Sequence, residues 1–252
     1  MQRYFVTSEI FTDSTIAKIT GQDVHHISNV MRAKITDQLI LCSDNKQTYL
    51  VEIIEITKNE VTVKKIDSII ENRELPVDVT IAQGIIKSDK FDWVIQKATE
   101  CGATSFIPLS MKRSIAKIDE KTEIKKRQRW QKIASEATRQ SHRQIVPLIE
   151  PILNLSELIK RKNDFDICLF AYEIEGTESK HKLHEIILKI EDIQRVLVVI
   201  GPEGGIDETE VQLLIENGFS AIGLGPRILR TETAPIYLLS AISYGLEIER
   251  RI

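Results

Sequence analysis

The chain has 252 residues, 42% of them hydrophobic and 28% charged, with a formal net charge of −3. That balance suits one large globular domain or two smaller ones. No stretch approaches the roughly 18 apolar residues of a membrane helix, and the opening MQRYFVTSEI lacks a basic segment leading into an apolar one, so neither a membrane span nor a secretory leader is expected.

Residues 3–7, 38–42, 48–56 and 60–66 carry β-branched, partly alternating patterns and are predicted strands. Between the first two, Val24, Ile27, Val30 and Met31 fall on one face of a predicted helix. So many short strands in so few residues suggest a small barrel. The polar stretch 70–76, ending in Pro76, marks the boundary between a first domain, 1–72, and a second, 73–252.

From Val77 the chain alternates strand and helix. Strands are predicted at 77–82, 104–109, 166–171, 195–200 and 219–224, and helices at 89–101, 121–142, from Asp207 to Gly218, and at 234–247. Phe91, Val94, Ile95 and Ala98 share one face of the first of these helices, and Gly102 stops it. Asp207 with Glu210 has capping-box spacing. The run RVLVVI at 195–200 is nearly all apolar, as a central parallel strand buried on both faces should be. The last helix is apolar on almost every side and is expected to be buried. This order implies an α/β fold with a mainly parallel sheet.

Cys42, Cys101 and Cys168 are isolated, odd in number and flanked by apolar residues, which fits reduced cysteines in a cytoplasmic protein. No Cys or His pair has metal-ligand spacing, and no metal is expected. Charge is uneven. Between Met111 and Arg143 eleven Lys/Arg face four acids, a surplus of seven in a slightly acidic chain. Such a stretch is either a solvated helix face or a surface for phosphates. Trp93 and Trp130 are expected as core or interface anchors, and His142 as a helix-end residue.

Two glycine-rich loops follow predicted strands. The first is Gly201-Pro202-Glu203-Gly204-Gly205; the second runs from Gly223 to Ala234 as GLGPRILRTETA. Ligands of open α/β sheets bind at the carboxyl ends of the strands, where both loops fall. Glycine lets main chain approach a ligand closely, so an adenine edge could be read by N–H and C=O groups. Neither loop is GxGxxG, and the chain has no GxxxxGK[ST], which disfavours dinucleotide and P-loop sites.

GPEGG followed by Glu210, and then LGPRILRTETA, resemble the two signature segments of the RsmE family of 16S rRNA uridine-N3 methyltransferases, within the SPOUT, or α/β-knot, superfamily. KSDKFDWVIQKATE at 87–100, RWQKIASEATRQSHRQIVP at 129–147 and Arg3-Tyr4-Phe5 resemble further segments of that family in the same order. Ser88 stands where the family usually has glycine, and Thr36-Asp37 where it often has Gly-Asp.

The resemblance implies a C-terminal trefoil-knotted α/β domain, an N-terminal PUA-like β-barrel, and a homodimer with its site near the subunit interface. It implies S-adenosylmethionine (SAM) as methyl donor, held by Ile200, Gly201, Leu224, Gly225, Ile228, Leu229 and Ala234. Uracil N3 must lose a proton to become a nucleophile, so a cation beside its carbonyls or a base would help. Arg230 is the expected cation. Glu203 and Glu232 are rival bases, and either could instead orient an arginine. Arg3, Arg32, Lys87, Lys90, Arg113, Arg139, Arg143 and Arg227 are the candidate RNA contacts. Two other readings stay open: a SPOUT enzyme acting on ribose 2′-OH or another base of rRNA or tRNA, and a non-enzymatic ribosome-assembly protein.

Overall fold

The computed structural model describes residues 1–11, 15–114, 118, 120–172, 182–191 and 194–249; Lys117 and Asp119 of the basic segment lie outside them, as does the side chain of Ser88. The chain divides into two compact units. One comprises Met1–Glu74 with Thr138–Val146, the other Leu75–Ala137 with Pro147–Ile252.

The first unit is a curled five-stranded sheet of β1 (Arg3–Val6), β2 (Ile16–Thr20), β3 (Gln38–Ser43), β4 (Thr48–Ile56) and β5 (Glu60–Ile69), in the order β1-β3-β4-β5-β2. β1 and β3 are parallel and the other pairings antiparallel. Alternation sends Leu39, Leu41, Val51, Ile53, Val61 and Val63 into one core with Tyr4. The edge strand β2, absent from the sequence reading, buries Ala17 and Ile19 between exposed neighbours.

The predicted helix near residue 24 is a single α turn, α1 (Gln22–His25), running into a π turn, His26–Val30. Met31 N donates to His26 O at 2.9 Å, an i→i−5 bond. The extra residue in that turn rotates the face. Val24 and Ile27 therefore stay buried while Val30 and Met31 emerge into solvent, against the expectation of one shared face. Thr36 has φ +77°, the left-handed region that glycine adopts freely and a β-branched residue does not.

Glu74 closes this unit around the segment after α3 (Glu120–Gln140). Its carboxylate accepts from Arg143 Nε at 2.9 Å, Arg143 NH2, Gln144 N at 2.8 Å and Ile145 N at 3.1 Å. His142, at φ +60°, occupies the left-handed position that ends a helix, with its N–H donating to Arg139 O at 3.3 Å.

The second unit is a parallel sheet in the order β12-β10-β11-β6-β7-β8, with β9 also paired to β7. The strands are β6 (Asp78–Gly84), β7 (Ser105–Ser110), β8 (Leu148–Ile149), β9 (Leu153–Asn154), β10 (Ile167–Ala171), β11 (Arg195–Ile200) and β12 (Ser220–Ile222). β11 lies between β10 and β6 and is buried from Val196 to Ile200, as RVLVVI predicts. Leu197 and Val199 join a core cluster with Phe170, Leu214 and Phe219, so alternation turns Val196, Val198 and Ile200 to the other face.

α2 (Ser88–Glu100) buries Phe91, Val94, Ile95 and Ala98, the predicted face. It ends at Gly102, φ +104°, where a Cβ would lie 2.6 Å from Leu75. Trp130 of α3 is buried against Phe91, ring centroids 4.4 Å apart, and donates to Asp92 at 3.1 Å. Trp93 is exposed and takes no core place. α4 (Leu155–Lys160), with a capping box of Asn154 and Glu157, and α5 (Lys182–Lys189) complete the helices that the sequence reading passed over. α6 (Glu208–Glu216) has the expected Asp207–Glu210 box.

α7 (Ala234–Ser243), with the π turn Tyr244–Ile248, is not buried all round. Leu238, Leu239, Ile242 and Leu246 face the core, whereas Tyr237 (39% exposed), Tyr244 (59%) and Ile248 (52%) form an outer stripe. All three cysteines are free. No helix among the described residues is long and apolar enough to cross a membrane.

Candidate functional site

The carboxyl ends of β10, β11 and β12 open into a cleft of about 800 Å³, lined by Ala171, Tyr172, the stretch 200–206 and the stretch 223–232. Both glycine loops therefore face one space. Of the residues assigned from sequence, the cleft brings together Ile200, Gly201, Glu203, Leu224, Gly225, Arg227, Ile228, Leu229, Arg230, Glu232 and Ala234, joined by Lys90 and Arg113. Its size lies within the roughly 300–1,000 Å³ of small-molecule sites.

The first loop is shaped by close packing. At Gly201 a Cβ would meet Ile206 Cγ1 at 2.9 Å and the Gly205 carbonyl carbon at 3.1 Å; at Gly84, the end of β6, it would meet Pro202 N at 2.6 Å. Glycine at 201 is thus required by the loop's own turn, rather than by ligand volume alone. Gly225 in the second loop needs its φ of +91° instead: among the described residues beyond its chain neighbours, only Tyr237 Oη lies within 4 Å of a Cβ there. Between Leu224 and Leu229 no main-chain hydrogen bond is made among the described residues. These N–H and C=O groups are left to bind water or a ligand at the cleft wall.

A charged cluster lies on the cleft wall. Lys90 of α2 reaches Glu232 at 3.3 Å and Glu203 at 3.9 Å, and Lys87 N donates to Glu203 at 3.4 Å. The partner of both carboxylates is thus a lysine, not an arginine. Arg113 donates to Gly204 O at 3.2 Å and pairs with Asp207 at 3.4 Å. Arg227 and Arg230 are exposed at the cleft mouth, without an ion pair among the described residues. No group there could hold a metal ion among the described residues.

The remaining cationic candidates belong to the first unit. Arg139 pairs with Asp23 at 2.8 Å and lies over the Tyr4 and Phe5 rings, 5.7 and 5.8 Å from their centroids. Tyr4 is buried beside Asp23, which together push its hydroxyl up to about 12, with Arg139 opposing. Arg32 is exposed, at φ +53°. Arg3 and Arg143 are buried, 4% and 2% exposed, in ion pairs with Glu71 and Glu74. Those pairs occupy both guanidinium groups inside the unit and leave no face for a phosphate.

Sequence reasoning missed Tyr172, Gln83 and Thr231. Tyr172 follows β10 and was within reach of the same carboxyl-edge rule. Gln83 carries no such signal, because a polar residue near a strand end looks like a solvent position.

Residues 73–243 match an RNA methyltransferase domain model, and residues 19–66 an RNA methyltransferase PUA domain model. The chain is 45% identical to ribosomal RNA small subunit methyltransferase E of Bacillus subtilis, over 99% of both chains. It is 30% identical to the protein of that name from Mesomycoplasma hyopneumoniae, over 95% of this chain and 98% of the other. Among solved structures, a ribosomal RNA small subunit methyltransferase E from Neisseria gonorrhoeae bound to S-adenosyl methionine superposes with a TM-score of 0.82, at 27% identity, over 96% of this chain and 97% of that one. Resting on a domain model that spans most of the chain and on a relative alike from end to end, the conclusion is that this chain belongs to the ribosomal RNA small subunit methyltransferase E family, RsmE.

Proposed function

We propose that the protein transfers a methyl group from SAM to N3 of a uridine in 16S rRNA of the small ribosomal subunit. One observation carries this reading: the two glycine loops share a cleft whose wall offers main-chain groups from 224 to 229 that are unpaired among the described residues, with Arg230 beside them. The residues fit the cofactor. Leu224, Gly225, Ile228 and Leu229 would bind adenine and ribose by main chain, with Ile200, Gly201 and Ala234 closing the pocket. SAM, when bound, supplies a methyl group on a sulfonium.

The chain's own residues do the rest. Arg230 sets a cation beside uracil O2 or O4, where charge builds as the N3 proton leaves. Glu232 and Glu203 are the acceptors for that proton, and Lys90 between them holds both carboxylates toward the cleft. Fixing uracil N3 in line with the methyl carbon supplies a large part of the acceleration. Lys87, Lys90, Arg113 and Arg227 around the cleft, with Arg32 and Arg139, are the proposed RNA contacts. Burial removes Arg3 and Arg143 from that set.

On this reading residues 1–72 are the PUA-like RNA-binding domain and 73–252 the SPOUT methyltransferase domain of a cytoplasmic enzyme. The family's trefoil knot belongs to the second; the strand order, in which the chain passes from β11 across β10 to β12, supports it. The exposed stripe of Tyr237, Tyr244 and Ile248 supports a homodimer, because apolar side chains at helical spacing favour burial against a second copy. Mapping of 16S rRNA nucleosides by mass spectrometry tests the target. A deletion strain should lose one N3-methyluridine; losing a 2′-O-methyl group while keeping N3-methyluridine would favour the ribose-acting reading instead.

A further inference from the structure

Gln83, near the end of β6, is outside both glycine loops, yet it touches each of them. Its Nε2 donates to Thr231 Oγ1 at 2.9 Å, to Gly84 O at 3.2 Å and to Gly201 O at 3.4 Å. Thr231 Oγ1 in turn donates to Gly201 O at 2.5 Å. The side chain of Gln83 is fully buried, and its Oε1 has no hydrogen-bond partner among the described residues. A leucine would fill a similar volume without burying an orphaned carbonyl, so packing alone gives no reason for an amide here.

We infer that Gln83 is a positioning residue for the cofactor cleft: through Thr231 it ties the Gly201 turn to the Gly223–Ala234 loop and so sets the width between the two walls. Three features support this. β6 pairs with β11 in a register that places Gln83 opposite Ile200, one residue before Gly201. The Gly201–Pro202 peptide lies directly on the end of β6, as the 2.6 Å approach of a Gly84 Cβ to Pro202 N shows. Thr231 lies between Arg230 and Glu232, so anchoring its hydroxyl inward fixes the backbone from which both flanking side chains leave. One hydroxyl thus joins Thr231 to Gly201, 30 residues away along the chain.

This inference rests on the cleft being the SAM site. Its test is SAM affinity by calorimetry and the melting temperature of the ligand-free protein, for Thr231→Val, Thr231→Ser, Gln83→Leu and the double variant Gln83→Leu/Thr231→Val. Valine matches threonine in shape and removes the hydroxyl; serine restores it. We expect Thr231→Val and Gln83→Leu each to weaken SAM binding about tenfold, and Thr231→Ser to stay within threefold of the parent. The double variant should lose less than the product of the two single losses, because the two side chains bond each other and converge on the same Gly201 carbonyl. Melting temperatures that fall while affinity is unchanged would overturn the inference and leave a merely structural contact. So would serine failing to rescue, or single losses that multiply in the double variant. Absence of SAM binding by the parent protein would instead sink the cofactor assignment itself.

Discussion

Replacing Glu74 by glutamine isolates the effect of one buried charge. The carboxylate and Arg143 each have side chains 3% exposed, and its two oxygens divide four donors between them. Oε2 takes Arg143 Nε and NH2; Oε1 takes the N–H groups of Gln144 and Ile145. Glutamine has one acceptor oxygen. Turned either way, its NH₂ faces two donors, and Arg143 loses its carboxylate counter-charge. Breaking a buried pair by removing one partner costs about 3–5 kcal/mol, which is a large share of the roughly 5–15 kcal/mol that holds a domain folded. Urea unfolding followed by far-UV circular dichroism should show a loss of that size. Both tryptophans, Trp93 and Trp130, belong to the second unit. Their fluorescence transition therefore serves as an internal reference. A Glu74→Gln protein within about 0.5 kcal/mol of the parent would refute the argument, since that is the range of an ordinary surface substitution.

Thr36→Gly should stabilise the first unit by about 1 kcal/mol, read as a shift in urea midpoint, because it relieves a β-branched residue at φ +77°; destabilisation would mean that the turn tolerates threonine without strain. Arg3 donates to Glu71 and holds its carboxyl below the ordinary glutamate value of 4.5. A carboxyl depressed in the folded state contributes stability above the unfolded pKa and loses it as pH falls through the folded one. Stability should therefore decline below about pH 4.5 with a steeper slope in the parent than in Glu71→Gln, as acid titration of unfolding would reveal; equal slopes would contradict the pairing. Arg230→Ala should lower turnover by about 10²-fold or more while SAM affinity changes less than threefold, as expected for a cation used at the developing charge. A parallel loss of both would make Arg230 a cofactor ligand.

The second unit was the more legible part of the sequence. RVLVVI reads as a strand buried on both faces, and Asp207 with Glu210 announced the start of α6 by cap chemistry. Both glycine loops were visible because composition and position agreed. What escaped was long-range or depended on a local count of residues. The π turn after His25 adds one residue that periodicity cannot foresee, which exposes Val30 and Met31. Arg3 and Arg143 looked like surface cations because their partners, Glu71 and Glu74, are 68 and 69 residues away. Gln83 was silent for the same reason, since its link to Thr231 spans 148 residues. The outer stripe of α7 shows the converse: an apolar helix reads as buried whether the cover is its own core or another surface.

A crystal structure of the protein with SAM and a uridine-containing oligonucleotide puts the central claim to its most direct test. Adenine should be hydrogen-bonded to main chain between Leu224 and Leu229, with the sulfonium methyl pointing at uracil N3 within reach of Arg230. Cofactor bound anywhere else, or a cleft between 201–205 and 223–234 that stays filled with water while the protein is saturated with SAM, would contradict it.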